Sequence, residues 1–252
     1  MDQHLLDAAT QNLNLPHDIV TLPSGGVFYK SKKKSVKVGY LTASDENILM
    51  GALQGKREEI VLNLLRNKIY EHDLRPEELL DCDVEAILIF LRNTSFGSEY
   101  KVMVTDPKTG NRFETSILLD ELNIKSGKIQ PNEEGLLVTT LPRSEKTIKL
   151  KPLTFGDTIE LERRANNYPQ GRTIPSVTWR LEKIIQEIDG NTDKSHISTF
   201  VTGLPIMDSK HIKKFISESI PSLDLTKQIT TPSGEEVNVE INFGVEFFRP
   251  FF

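Results

Sequence analysis

Val36-Lys37-Val38-Gly39-Tyr40-Leu41-Thr42-Ala43-Ser44-Asp45 recurs later in the chain as Ile148-Lys149-Leu150-Lys151-Pro152-Leu153-Thr154-Phe155-Gly156-Asp157, an offset of 112 from Leu41 to Leu153. In both copies apolar and polar residues first alternate, as they do in a half-buried strand. A hydroxyl follows, with an acid three residues on: Thr42 with Asp45, Thr154 with Asp157. That is the form of a capping box, which satisfies two orphan amides where a helix starts. Strand followed by capped helix is therefore the shared local unit.

The repetition extends outward from it. Thr21-Leu22-Pro23 and Thr140-Leu141-Pro142 stand upstream. Downstream, Asp83, Ile87 and Phe90 match Asp208, Ile212 and Phe215 at an offset of 125 from Asp83 to Asp208. Asp106-Pro107-Lys108-Thr109-Gly110 is echoed by Thr231-Pro232-Ser233-Gly234. The order is kept and the offset drifts, as loop insertions make it drift. The expected fold is α+β: two tandem similar modules, each a small antiparallel sheet with a helical layer. Residues 1–17 are expected as a flexible N-terminus and residues 18–122 as the first module. Residues 123–135, rich in Lys, Gly, Pro, Asn and Glu, suit a linker. Residues 136–252 form the second module and end in an aromatic tail.

Element by element, residues 18–22 and 27–29 read as short strands around Pro23-Ser24-Gly25-Gly26. Val61, Leu64, Leu65 and Ile69 share one helical stripe. Leu181, Ile184, Ile185 and Ile188, spaced i, i+3, i+4, i+7, predict its counterpart as a single helix. Pro76 opens a short helix. Residues 83–91, apolar on most sides, predict a central buried helix, and residues 208–220 its more polar partner. Two hairpins close the modules, at residues 100–118 and 227–241.

Bulk properties narrow the functional classes. The chain has 252 residues, 27% of them charged and 37% hydrophobic, which reads as soluble and globular. A net charge of −5 exerts no overall pull toward nucleic acid or anionic membrane. One cysteine, Cys82, leaves no internal disulfide and no Cys-based zinc site, and suits a reducing compartment. Asp2 and Gln3 after Met1 give no signal-peptide pattern, and no stretch approaches the ~20 apolar residues of a membrane span.

Motifs for chemistry are thin. Gly51-Ala52-Leu53-Gln54-Gly55-Lys56 has three residues between its glycines, not four, and Arg57 where a phosphate loop needs Ser or Thr. His4, His17, His72, His196 and His211 show no metal-ligand spacing. Cys82 precedes an apolar helix and reads as a buried structural thiol. The pairs Glu58-Glu59 and Glu133-Glu134 lie on polar faces or in the linker and read as solvated charge. Lys30-Ser31-Lys32-Lys33-Lys34 reads as a solvated turn, with an acidic protein partner as the alternative. No cofactor and no metal is expected.

The end of the chain is more unusual. Val245-Glu246-Phe247-Phe248-Arg249-Pro250-Phe251-Phe252 places four phenylalanines in the last six residues. Either they fold back and complete the second module's core, or they are aromatic anchors for a partner groove.

Several of these stretches resemble the T-even phage baseplate hub assembly family. They are Leu22-Pro23-Ser24-Gly25-Gly26-Val27-Phe28-Tyr29, the strand and capped helix at residues 36–49, and Leu91-Arg92-Asn93-Thr94-Ser95-Phe96-Gly97-Ser98-Glu99-Tyr100. The closing Phe247-Phe248-Arg249-Pro250 is similar to the family's aromatic-proline end. The resemblance implies a non-enzymatic assembly factor, working in the host cytoplasm, that binds hub or tape-measure subunits. Many relatives carry a Cys-x-x-Cys pair at the hairpin turn where this chain has Asp106-Pro107-Lys108-Thr109-Gly110, so the metal those relatives imply is not carried over. A structural subunit retained in the particle and, further off, a hydrolase acting during assembly are the alternatives. Self-association is left open. The expected partner-contacting residues are Phe28, Tyr29, Phe96, Tyr100, Phe247, Phe248, Phe251 and Phe252.

Overall fold

Residues 16–51, 57–243 and 245–248 are described by a computed structural model. The chain is α+β, as the pattern of elements predicts. Strand β1 (His17–Thr21) pairs antiparallel with β2 (Ser35–Gly39), placing Val20 opposite Val36. In the second half β6 (Leu137–Thr140) pairs antiparallel with β7 (Thr147–Leu150), placing Thr139 opposite Ile148. The sequence offsets from Val20 to Thr139 and from Val36 to Ile148 are those of the two repeated motifs, so the register of one hairpin maps onto the other. The loop between the strands is what differs.

Each hairpin leads into a capped helix: α1 (Ala43–Gly51) behind Thr42 and α4 (Phe155–Asn166) behind Thr154. The Thr42 amide donates to Asp45 Oδ2 at 2.7 Å and the Thr154 amide to Asp157 Oδ2 at 3.1 Å. A lysine completes both sites. Lys68 forms a buried ion pair with Asp45, and Lys183 Nζ lies 3.3 Å from Asp157 Oδ1.

In the first half α2 (Arg57–Lys68) and a 3-10 turn (Pro76–Glu78) lead to the central helix α3 (Asp81–Phe96). Its Ile87, Leu88 and Leu91 are buried, as the unbroken apolar run dictates. It stops at Gly97, whose φ of 82° is strained for any residue with a side chain. The second half runs through α5 (Ser176–Ile184), β8 (Ile185–Ile188), α6 (Lys194–Thr202) and α7 (Ile206–Ser219). Each half then enters a two-stranded ribbon: β3 (Glu99–Thr105) with β4 (Arg112–Leu118), and β10 (Thr226–Thr230) with β11 (Glu236–Glu240). Asp106 in the first ribbon's turn accepts from Ser233 Oγ in the second's at 2.8 Å.

Two expectations are corrected. Residues 27–29 form turns, not a strand, because the Tyr29 amide bonds back to Gly26 and the loop is pinned to α3. The helix expected through Ile188 ends at Ile184. Ile185 and Ile188 instead pair with β7, where β-branched side chains pack well on a pleated surface. In the first half only an isolated bridge, Val38 to Ile69, stands at that place. The linker segment 123–135 carries β5 (Ile124–Lys125), which pairs with β9 (Ser222–Leu223). One continuous apolar cluster draws on both halves, from Val20 to Phe248. Residues 1–15, within the N-terminal segment expected to be flexible, lie outside the described residues.

Candidate functional site

A cleft of about 410 Å³ opens between the start of α1 and the end of α3. Tyr40, Leu41 and Leu49 form one wall, Thr94 and Phe96 the other, and Phe248 from the far end of the chain closes it. The local sequence turns its polar groups away from it. Thr42 Oγ1 donates to Asp45 within the cap at 2.7 Å, and Thr94 Oγ1 donates to the Phe90 carbonyl at 2.9 Å. Tyr40 stacks on Phe90 with ring centroids 6.1 Å apart, and its hydroxyl is drawn off to Asp18 at 2.7 Å. What remains is a depression more apolar than polar, with Glu46 and Ser95 also in its lining. Such a surface takes aliphatic or aromatic side chains.

Behind the cleft lies a buried cation. Arg92 is fully buried and its guanidinium donates to the carbonyls of Gly97 and Glu99, the latter at 3.1 Å. It also sits 5.3 Å from the Tyr100 ring centroid and 5.7 Å from that of Phe247. No carboxylate among the described residues is paired with it; two carbonyls and two ring faces take that place. The Leu-Arg, Phe-Gly, Tyr spacing of residues 91–100 is thereby explained. Arg92 reaches around the glycine turn that ends α3 and fixes the start of β3.

The expected contact residues separate into groups. Phe96 and Phe248 come together on the cleft, and Tyr100 is half-buried behind it. Phe247 is 0% exposed, with its ring 5.5 Å from Tyr100 and 4.8 Å from Phe243. The tail therefore does fold back, but onto the first half, where Arg92 and Tyr100 wait, and not into a core of the second half alone. Phe28 and Tyr29 are buried as well. The Tyr29 hydroxyl donates to Asp83 and accepts from the Leu80 amide at 2.9 Å, so this ring serves the interior. Phe251 and Phe252 lie outside the described residues, as do residues 52–56 of the glycine pair weighed for phosphate.

Tyr40, Leu41 and Leu49 are not among the expected contact residues. They follow the same apolar pattern as core positions, and only the turn at Gly97 and the returning tail make them a wall.

Other candidates resolve locally. Lys33 is paired with Glu71 and, at 2.8 Å, with Asp73, so the basic turn is partly neutralised within the chain. His211 Nε2 lies 2.9 Å from Thr139 Oγ1. Burial pushes the Cys82 thiol far above its usual range. Among the described residues no group of three or more His, Cys, Asp or Glu could hold a metal ion, and no helix is long and apolar enough to cross a membrane.

One family model, described as T4 bacteriophage base plate protein, matches residues 21–249. No curated protein matches the chain, and no solved structure does.

Proposed function

We propose, because this chain belongs to the T4 bacteriophage base plate protein family, that it is a non-enzymatic assembly factor for the baseplate hub. In this reading it works in the host cytoplasm. It covers an apolar segment of a hub or tape-measure subunit until the next component displaces it.

The observation that carries the reading is the cleft between α1 and α3. It is more apolar than polar, about 410 Å³ in volume, and lined by Phe96 and Phe248. A cleft of that size accepts a few large side chains of a client. Phe96, half-buried on the cleft, is an aromatic residue of the kind that anchors such contacts.

The test is co-expression of tagged chain with hub and tape-measure subunits, followed by pull-down. Leu49→Lys and Phe96→Ser, checked for retained helicity, are expected to lower client recovery at least tenfold. Recovery equal to the unmodified chain would sink the cleft as the docking site. Mass spectrometry of mature particles separates the transient factor from a retained subunit: a stoichiometric amount in the particle contradicts the assembly-factor reading.

A further inference from the structure

We propose that two copies of this chain join along β4, edge to edge and antiparallel, about a two-fold axis at Thr115. The site is separate from the cleft between α1 and α3 and stands whether or not that cleft binds a client.

β3 and β4, of 7 residues each, are the longest strands among the described residues. They pair only with each other. In an antiparallel pair, residues that exchange backbone bonds alternate with residues that do not. The Leu119 amide donates to the Ser98 carbonyl at 2.9 Å, and the Asp106 amide to the Asn111 carbonyl at 2.9 Å. That phase turns the backbone groups of Phe113, Thr115 and Ile117 toward β3, opposite Val104, Val102 and Tyr100. Those of Arg112, Glu114, Ser116 and Leu118 turn outward, and all four side chains are exposed. Among the described residues nothing bonds these four amides or carbonyls. Such a row of bare backbone groups is a template for one more strand.

Hydrogen-bond geometry therefore makes the occupant a strand, and β4 of a second copy fits. With Thr115 on the axis, Arg112 stands opposite Leu118 of the second copy and Glu114 opposite its Ser116. Every outward group is then paired, each opposed couple exchanging two bonds. The stem of Arg112 covers Leu118, which is 44% exposed alone. On the inner face Phe113 meets Ile117, an aromatic and β-branched couple of the kind that stabilises sheets. No like charges are directly opposed, and Glu114 is already paired with Lys101 at 3.1 Å. An axis at Glu114 would set two carboxylates face to face. An axis at Phe113 would put Ser116 and Leu118 against the turn at residues 106–110.

The other ribbon edges are less suited. On β3 the Glu99 carbonyl already accepts from Arg92 at 3.1 Å. On β11 the outward residues are Glu236, Asn238 and Glu240, so self-pairing about Asn238 would oppose two acids.

Analytical ultracentrifugation of the full chain is expected to show a monomer–dimer equilibrium. Leu118→Lys sets a cation opposite Arg112 and is expected to weaken the dimer at least tenfold. Adding Arg112→Glu is expected to restore it. Both side chains are exposed, so the fold is retained. Thr115→Cys brings two thiols together at a position where Cα atoms lie about 4.5 Å apart. Mild oxidation is expected to link the copies there, with Cys82 buried and out of reach. A chain that stays monomeric at millimolar concentration overturns the proposal. So does a dimer that Leu118→Lys leaves intact, or one that Thr115→Cys does not cross-link.

Discussion

Asp83 and Asp208 make the same backbone-to-carboxylate bond in the two halves of the chain. Asp83 Oδ1 accepts from the Ser24 amide at 2.8 Å, and Asp208 Oδ1 from the Arg143 amide at 2.8 Å. Both carboxylates are 0% exposed. Ser24 and Arg143 each follow a Leu-Pro, at the repeated Thr-Leu-Pro, so a helix start is tied to the end of a hairpin strand in the same manner twice. Asp208 also accepts from the Ser144 amide at 3.0 Å, whereas Asp83 takes the Tyr29 hydroxyl.

Replacing Asp83 leaves buried donors without an acceptor, which costs about 1–3 kcal/mol for each group orphaned, and replacing Asp208 costs less, because its donors are only part-buried. Asp83→Ala and Asp208→Ala are both expected to lower the thermal midpoint by several degrees in calorimetry. Asp208→Asn is expected to be milder, since the amide oxygen still accepts one bond. A variant as stable as the parent at both positions contradicts the tie.

The junction of tail and first half is expected to behave as one unit. Phe247→Ala removes a fully buried ring, a change that costs about 3–5 kcal/mol in a packed core. Arg92→Met removes the cation that ring and Tyr100 cover. Because Arg92 and Phe247 touch, the double variant is expected to lose less than the two single losses combined. Additive losses in denaturant unfolding would show that the guanidinium and the ring are energetically independent.

At Gly156 a methyl group meets backbone rather than a flexible side chain. Gly156→Ala is expected to destabilise by about 1–3 kcal/mol through overpacking, despite alanine's better helix propensity. An unchanged or raised midpoint argues that α4 does not press on Glu77 in solution.

Glu85 carries a pH signature. Burial, and then the neighbouring Asp81, push its carboxyl up to about 7. A carboxyl raised on folding favours the protonated form, so it opposes the fold as pH rises from the ordinary glutamate range through about 7, and not below that range. Glu85→Gln is therefore expected to match the parent near pH 4 and to be the more stable above pH 7. Parallel stability curves for the two from pH 4 to 8 rule this out.

Much of the fold was legible because its signals are local. The capped helices rest on residues three apart. The hairpins rest on alternation around Pro-rich turns, and the central helix on an unbroken apolar run. The exception at residues 185–188 is instructive: a stripe of Leu181 and three isoleucines satisfies a helix and a strand about equally, and the open edge of β7 decides. The site was half legible. Phe96 and Phe248 attract notice as aromatic residues in unusual places, while Tyr40, Leu41 and Leu49 look like any strand end or helix face.

By itself, the order of residues determined that two similar stretches follow one another, each with its own strand register, capped helix and closing ribbon, since those features depend on neighbours along the chain. Only the tertiary structure decided that Phe247 rests against Arg92 and that α4 covers Leu79 while Ile206 and Met207 stay bare. Those pairings join positions far apart in sequence, where shape, charge and the space beside one glycine choose among many apolar surfaces that read alike.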